Sequence, residues 1–236
     1  MLVDAESRSV VHELAGHQDD DAFEGSPIQD IAFSDDGSLV ASAGLEGQVI
    51  VWSVEDGSEV VAIEGDYDAA AVAFSPDGQR LATSGGGPIE VYDVPSGDPV
   101  ATLSDASPDS SALAWSPDGR WLAGPGPDAA PAIWDTETFT LAAQLDEANV
   151  NQMAFAPDSR TIAVTSDITT VRLWTPKPLA GRGGGVRELV GHTGRPEAVA
   201  FAPDGEALYS VSGTEGILAW DVTKAELATR FELPER

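Results

Sequence analysis

The chain has 236 residues, of which 42% are hydrophobic and 22% are charged, a composition typical of a folded globular protein. It contains no cysteine, which excludes disulfides, thiolate catalysis and cysteine-ligated zinc. Asp and Glu number 40 against 12 Lys and Arg, giving a formal net charge of −28. A surface this acidic repels phosphate backbones, so we expect no nucleic-acid partner.

The acidic charge has two interpretations, and both remain open. One is a solvated surface suited to a high-salt cytoplasm, where ions screen the self-repulsion. The other is an ordinary acidic protein encoded by an alanine-rich, high-GC genome. No run approaches the ~18 apolar residues of a membrane helix, and the first residues lack the pattern of a secretory signal. We therefore expect a cytoplasmic protein without a membrane partner.

One motif, an aromatic residue followed by a small residue and a turn, occurs five times. The copies are Phe33–Gly37, Phe74–Gly78, Trp115–Gly119, Phe155–Ser159 and Phe201–Gly205. Their aromatic residues are 41, 41, 40 and 46 positions apart. A second aromatic keeps nearly the same spacing, at Trp52, Tyr92, Trp134, Trp174 and Trp220. The sequence therefore predicts one domain over residues 1–236 with five tandem repeats, at about 17–62, 63–103, 104–145, 146–190 and 191–231.

Each repeat divides into four short β runs, which we term strands a, b, c and d. In the second repeat they are Ala71–Phe74, Arg80–Thr83, Ile89–Tyr92 and Pro99–Leu103. The Ser-Pro-Asp-Gly sequence between a and b favours a hairpin turn, because Pro presets φ, Asp bonds its own backbone and Gly accepts positive φ. Ser159 stands at the glycine position of the fourth repeat, which predicts a slightly strained or rearranged turn there.

Four short strands recurring every ~40–45 residues are typical of β-propeller blades. The dipeptides Trp134-Asp135 and Trp220-Asp221, with Gly16-His17 and Gly191-His192, resemble the WD-repeat (β-transducin-like) family. The resemblance covers roughly residues 8–231. It implies an all-β fold, a β-propeller of five four-stranded WD-type blades.

The first residues predict an extra N-terminal outer strand. Residues 2–14 match the end of a strand c followed by a full strand d, yet the last repeat has its own strand d at Glu226–Phe231. One outer strand is therefore surplus in a five-blade ring. Our hypothesis is that the chain is an incomplete part of a larger ring, completed by further residues of a longer parent chain or by a second chain, which includes self-association. The alternative is a self-contained five-blade disc with one terminal strand displaced.

The resemblance also implies structural residues, because the family's blades are usually tied by a hydrogen-bond network of His, a turn Asp, a strand-b Ser or Thr and the strand-c Trp. The candidates are His17, Ser42, Glu46, Trp52, Asp128, Trp134, Trp174, His192 and Trp220. The network is only partly present in this sequence, and the first repeat offers His17, Ser42, Glu46 and Trp52, with Glu replacing Asp. The middle blades must rely on apolar packing. Trp121 falls outside the pattern, and we expect it to be half exposed.

No residue pattern predicts catalysis. Neither a nucleophile elbow, nor a metal-spaced histidine pair, nor a phosphate loop is present in the sequence. The Asp19–Asp21 run is interpreted as a solvated charge cluster rather than a Ca²⁺ site. The Pro- and Gly-rich segment 175–185 is interpreted as a flexible linker. We therefore expect a protein that is not an enzyme and that carries no catalytic residue, metal or cofactor.

The function favoured by the sequence is a protein–protein interaction scaffold, since loops on a rigid repeat can vary without disturbing the core. The d–a and b–c loops are expected to form one face and to bind a partner of unknown identity. This face would carry Asp20, Phe23, Gln29, Leu45, Tyr67, Asn149, Asn151, Asp167, Arg195, Glu197 and Thr214.

The alternative function is that of a TolB-like or peptidase-associated propeller, acting as a substrate filter or ligand sensor. Residues Ala114–Gly119 also resemble repeats of those propellers. The Gly-His and Trp-Asp dipeptides argue against this alternative.

Salt dependence separates the two interpretations of the acidic charge. Stability against urea is expected to rise with KCl in either case, because screening acts within about a Debye length. If the surface is suited to high salt, we expect the chain to unfold below roughly 0.5 M KCl, because its self-repulsion is then unscreened. A chain that stays folded and monomeric in dilute buffer would exclude the high-salt interpretation; circular dichroism and light scattering across a KCl series make the measurement.

Overall fold

Short strands and tight turns build almost all of this protein. The computed structural model describes residues 1–17, 28–44, 47–108, 112–146, 149–180, 184–213 and 215–231. These residues form five four-stranded antiparallel sheets and one two-stranded sheet. The prediction of five four-stranded blades is confirmed, and the predicted N-terminal outer strand is present as one half of the two-stranded sheet.

The strands divide between two compact units, Met1–Thr102 and Leu103–Arg236. The two-stranded sheet at the start of the first unit consists of β1 (Leu2–Val3) and β2 (Val10–His12). The first blade consists of β3 (Ile28–Phe33), β4 (Leu39–Gly44), β5 (Gln48–Ser53) and β6 (Glu59–Glu64). The second blade consists of β7 (Ala69–Phe74), β8 (Arg80–Gly85), β9 (Ile89–Asp93) and β10 (Pro99–Leu103).

The second unit holds three blades. The third blade consists of β11 (Ala114–Trp115), β12 (Trp121–Pro125), β13 (Pro131–Asp135) and β14 (Thr140–Gln144). The fourth consists of β15 (Val150–Phe155), β16 (Ile162–Ser166), β17 (Thr170–Thr175) and β18 (Gly185–Val190). The fifth consists of β19 (Ala198–Phe201), β20 (Ala207–Ser212), β21 (Gly216–Asp221) and β22 (Glu226–Phe231).

The a–b turns have the structure that their chemistry predicts. In the second blade the Ser75 hydroxyl donates to Asp77 at 2.5 Å, and Gly78 adopts φ 67° while its N–H donates to the Ser75 carbonyl at 2.8 Å. In the fourth blade Ser159 takes the glycine position at φ 57°, so the predicted strained turn is confirmed. Its hydroxyl accepts the Asp118 N–H at 3.0 Å. This bond to the third blade gives the serine a stabilising role that glycine would lack.

The core lies between neighbouring sheets, because the middle strands of the first four blades are buried on both faces. In the middle strands of the fifth blade, Tyr209 and Ile217 are 41% and 39% exposed. In the first blade Ala41, Val49 and Val51 are at most 1% exposed. They share an apolar cluster with Val72 and Phe74 of the second blade. In the second unit, one cluster joins the third blade to the fourth and another joins the fourth to the fifth.

Five of the six tryptophans are buried as the repeat predicts, but the expectation for the sixth was wrong. Trp121 is only 7% exposed and packs with Val150 and Met153 of the fourth blade. It begins strand b, and its side chain points toward the next sheet rather than toward solvent. The Arg120 guanidinium lies 5.0 Å from the Trp121 ring centroid and covers its outer part.

The c–d connection of the fourth blade contains a short helix within the segment predicted as a flexible linker. The helix α1 spans Lys177–Ala180, and Leu179 packs against the cluster between the third and fourth blades. The Pro- and Gly-rich composition of the segment did not indicate that Leu179 would pack against the core. Residues 181–183 lie outside the described part of the chain. In the residues that the structure does describe, no helix has the length and apolar character needed to cross a membrane.

Replacing Trp174 by Ala is expected to destabilise the protein by about 3–5 kcal/mol, the range for emptying a large aromatic site in a core. Trp174 is 5% exposed within the cluster between the third and fourth blades. Urea unfolding measures the change, and Trp174→Phe, which keeps much of the buried area, should lose clearly less. A loss below ~1 kcal/mol for Trp174→Ala would contradict this packing role.

Candidate interaction surface

Antiparallel pairing within each blade places the d–a and b–c loops at one end of the sheet and the a–b and c–d turns at the other. We call the first of these the loop end and the second the turn end. A side chain near the start of strand a and one just after strand b therefore lie near each other. This local geometry makes the loop end the place where neighbouring repeats bring variable residues together.

In the second unit, the loop end joins the fourth and fifth blades through Arg195. Its guanidinium contacts Asp167 at 2.8 Å and donates to the Asn151 side-chain oxygen at 2.6 Å. Arg195 comes from the loop before strand a of the fifth blade, Asp167 follows strand b of the fourth, and Asn151 lies at the start of its strand a. The Arg195 and Asp167 side chains remain 56% and 47% exposed. The structure thus brings three predicted partner-binding residues into one exposed cluster.

The other predicted residues of the second unit are also at its loop end. Asn149 is exposed and adopts φ 62°, a conformation that asparagine tolerates better than most residues. Glu197 is exposed, and its carboxylate lies close to Gly213, where an added Cβ would be 3.3 Å from the oxygen. Thr214 lies outside the described residues.

In the first unit, the most notable residue of the loop end is Tyr67. Its ring lies directly across Gly87, where an added Cβ would come within 2.2 Å of the ring. Tyr67 nevertheless remains 46% exposed. Gln29, at the start of the first blade, is exposed as well. The remaining candidates Asp20, Phe23 and Leu45 lie outside the described residues.

The predicted structural network is well formed in the fifth blade. His192 Nε2 lies 2.6 Å from the Ser210 hydroxyl, and the Trp220 indole N–H donates to the same hydroxyl at 2.7 Å. The side chain of His192 is fully buried, and Trp220 is 0% exposed. One serine oxygen therefore links the d–a loop to strands b and c.

Glu215 completes this network on the other side of the histidine. Its carboxylate lies 3.7 Å from His192 Nδ1 and 3.2 Å from Arg230, and it accepts the Thr193 hydroxyl at 2.6 Å. The backbone N–H groups of Thr193 and Gly194 also donate to it. The side chain is only 6% exposed. A buried carboxylate is costly unless its oxygens accept hydrogen bonds, and the Glu215 oxygens have donors from Thr193, Gly194 and Arg230.

The surroundings shift the pKa of both titratable groups. Burial lowers the pKa of His192, which the nearby Glu215 opposes. Burial alone would raise the pKa of Glu215, but the hydrogen bonds from Thr193 and Gly194 and the adjacent His192 outweigh it and lower that pKa to about 2. The carboxylate is therefore charged and the imidazole neutral at neutral pH, the pairing that a structural hydrogen-bond network requires.

The first blade has the same arrangement. His17 Nε2 lies 2.7 Å from the Ser42 hydroxyl, which also accepts the Trp52 indole N–H at 3.1 Å. Glu46, at the position that Glu215 holds in the fifth blade, lies outside the described residues. Burial lowers the pKa of His17 as it does for His192.

The third and fourth blades have apolar residues at these positions. Trp134 and Trp174 are buried, whereas Asp128 is exposed at φ 57° in a short 3-10 turn, Pro127–Ala129. The strand-b position next to the tryptophan is Gly124 in the third blade and is likewise apolar in the fourth. This agrees with the predicted dependence of these blades on packing.

Sequence reasoning missed Ser210, Glu215 and Arg230 as members of the network. A signal for two of them was present, because Ser210 stands nine residues after Phe201 as Ser42 does after Phe33, and Glu215-Gly216 matches Glu46-Gly47. Arg230 has no such signal, since strand d varies freely in sequence and only the pairing of β22 with β21 carries it to Glu215.

The described residues form no group of three or more His, Asp or Glu side chains that could hold a metal ion. Asp19, Asp20 and Asp21, the one acidic run considered for Ca²⁺, lie outside those residues.

Glu215→Gln is expected to cost about 1–3 kcal/mol of stability near pH 7, because it removes the charge that several buried donors require. The folded-state pKa of about 2 lies below the ordinary 4.5, so the folded state binds fewer protons. The stabilisation is thus complete above about pH 4.5 and is lost as the pH falls toward 2. Urea unfolding at a series of pH values should show the free energies of unfolding of the unchanged chain and of Glu215→Gln approaching each other in that pH range. Glu206→Gln, at an exposed glutamate of the same blade, is the control and should show little difference at any pH.

Comparison with known proteins agrees with the repeat geometry. The family described as "WD domain, G-beta repeat" matches residues 8–53, 97–135 and 136–175, together more than half of the chain. The chain is 31% identical over 67 residues to the small ribosomal subunit protein RACK1 of Caenorhabditis elegans, covering 28% of this chain and 21% of that protein. It is 34% identical over 83 residues to human WD repeat-containing protein 36, covering 35% of this chain and 8% of that protein. These matches thus span 21% and 8% of the relatives' own length. The Trp-centred networks, the four-stranded blades and the family match together establish that the chain belongs to the WD-repeat family.

Proposed function

We propose that the chain is a non-catalytic protein-interaction scaffold that binds a partner protein through the loop ends of its blades. The observation that carries this proposal is the exposed cluster of Arg195, Asp167 and Asn151, where two blades place polar side chains in one fixed arrangement. Membership of the WD-repeat family supports a general interaction role.

The cluster has the properties of an anchor for a partner. Arginine and tyrosine are enriched among the residues that dominate binding energies. Arg195 is already held by two side chains, so little conformational freedom remains to be lost when a partner binds. Tyr67, in the other unit, is restrained by the close packing of its ring against Gly87.

The charge at the loop ends indicates the kind of partner. Exposed acids there are Asp66, Asp68, Asp167 and Glu197. Together with the net charge of −28, they favour a partner with a basic face and association that is fast at low salt. The same charge supports a protein partner over nucleic acid, and we place the protein in the cytoplasm.

Arg195→Ala is expected to weaken binding of the partner at least tenfold, since it removes the anchor and leaves Asp167 unpaired. The partner is first recovered with the intact chain from native extract and identified by mass spectrometry. Its Kd for each variant is then measured by calorimetry.

Arg160→Ala is the matched control. Arg160 is an exposed arginine at the turn end of the fourth blade, so its loss changes the net charge equally without touching the loop end. Unchanged affinity for Arg195→Ala, or an equal loss for both variants, would refute binding through this cluster.

A further inference from the structure

Tyr67 presents one open face of its ring at the loop end of the second blade. It lies in the d–a connection between β6 and β7. The opposite face of the ring packs against Gly87, where an added Cβ would collide with the ring atom Cγ and with both Cδ atoms. The residue is nevertheless 46% exposed. Because the backbone at Gly87 covers one face, this exposed area belongs to the other face and to the ring edge.

The backbone around Tyr67 is held in place by the b–c connection of the same blade. The Gly86 N–H donates to the Asp68 carbonyl at 3.0 Å. An added Cβ at Gly85 would collide with that carbonyl oxygen, so the run of three glycines permits the close approach of the two connections. The ring is therefore presented from a fixed backbone, and little freedom is lost when a ligand contacts it.

Carboxylates are concentrated at this loop end. Asp66 and Asp68 flank Tyr67 in the chain, and both are exposed. The Tyr92 hydroxyl donates to Glu90 at 2.7 Å. Burial is the main cause that raises the pKa of Tyr92, and the charges of Glu90 and Asp66 raise it further. The loop end of the second blade therefore has a negative potential, which favours a cationic ligand.

The sequence around Tyr67 contains no cation of this kind. No lysine or arginine occurs between Arg8 and Arg80. Arg8 lies in the turn between β1 and β2, and Arg80 begins β8 at the turn end of the second blade. In the second unit, by contrast, the loop-end carboxylate of Asp167 is paired with Arg195 of the same chain at 2.8 Å.

Another part of the chain shows how an arginine uses a ring and a carboxylate together. The Arg120 guanidinium lies 5.0 Å from the Trp121 ring centroid, and its Nε lies 4.0 Å from the Asp135 carboxylate. A guanidinium can do both because it is planar: its face stacks on the ring while its N–H groups point outward in its own plane. The open face of Tyr67, with Asp66 beside it in the chain, offers the same two features.

We propose that Tyr67 binds an arginine side chain of the partner protein, with the guanidinium stacked on the open ring face and its N–H groups directed to the carboxylate of Asp66. This inference rests on the proposed scaffold function and names the side chain that the first unit recognises. A guanidinium fits better than an ammonium, because the ammonium is more strongly hydrated and cannot lie flat on the ring.

NMR of the full chain with ¹³C-labelled tyrosine rings tests this proposal. The chain has three tyrosines, and Tyr92, which is buried, and Tyr209, which is 41% exposed, serve as internal controls. A short capped peptide with a single arginine among glycine and serine residues should shift the Tyr67 signals in a saturable manner. The signals of Tyr92 and Tyr209 should stay unchanged. Absence of a shift at Tyr67, or an equal shift at Tyr209, would overturn the proposal.

Two further peptides separate stacking of a guanidinium from simple attraction to an acidic protein. Citrulline in place of arginine keeps the shape and removes the charge, and it should weaken binding by at least about fivefold. Lysine keeps the charge and removes the planar group, and it should weaken binding by at least about twofold. Binding of either peptide as tightly as the arginine peptide would overturn the proposal. These comparisons use the unchanged chain and so do not depend on the folding of a variant.

Two variants locate the site, with Kd followed on the arginine δ protons of the peptide. Tyr67→Leu keeps an apolar side chain beside Gly87 but removes the ring, and it should weaken binding by at least about fivefold. Asp66→Asn should weaken binding by at least about twofold. Glu59→Gln, at an exposed glutamate at the turn end of the first blade, is the matched control and should leave Kd unchanged. Equal losses for Asp66→Asn and Glu59→Gln would show general attraction only and would overturn the proposal.

The outcome for Tyr67 can be told apart from the outcome for the proposed function. The Arg195→Ala experiment measures the affinity of the recovered partner for the second unit, whereas the peptide titration measures arginine binding by the first. A tenfold loss with Arg195→Ala and no peptide shift at Tyr67 would overturn this inference and leave the scaffold function in place. A Tyr67 shift that follows the pattern of peptides and variants above supports the inference whatever the result for Arg195.

Discussion

The structure depends on one physical interaction: the apolar face of a four-stranded sheet is stabilised when a neighbouring sheet covers it. The middle strands of each blade carry alanine, valine, leucine and isoleucine on both sides, and residues such as Ala41 and Leu81 are completely buried. At roughly 25 cal/mol per Å² of apolar surface, a blade left alone would lose most of its stabilisation. Stacking of neighbouring repeats is therefore what makes each blade stable.

This interaction explains why the polar network can vary from blade to blade. The first and fifth blades join His, Ser and Trp through one hydroxyl, at Ser42 and Ser210. The third and fourth blades replace that position by glycine or valine and still bury Trp134 and Trp174. The hydrogen bonds thus fix the loop entering a blade, whereas the burial of apolar area holds the sheets together.

The exposed side chains of the two units differ in their chemistry. At the loop end of the second unit, exposed side chains are polar and already paired, as Arg195 is with Asp167. Such a surface is stable in water and suits reversible association. Ile31 and Phe33 of the first blade, in contrast, are apolar side chains that are exposed.

The sequence by itself determined the repeat, the four strands of each blade and the buried strand-c aromatics, because turn chemistry and side-chain alternation are local. It also predicted strand structure within residues 2–14, where the structure has β1 and β2. Only the tertiary structure decided which residues meet across the blades: Arg230 at Glu215, Arg195 at Asp167, and the burial of Trp121. The exposure of Ile31 and Phe33 belongs to the same class, since their residue types match those of buried positions. Whether an apolar side chain is covered depends on the neighbouring sheet, and a sequence pattern with a period of two residues contains no information about that neighbour.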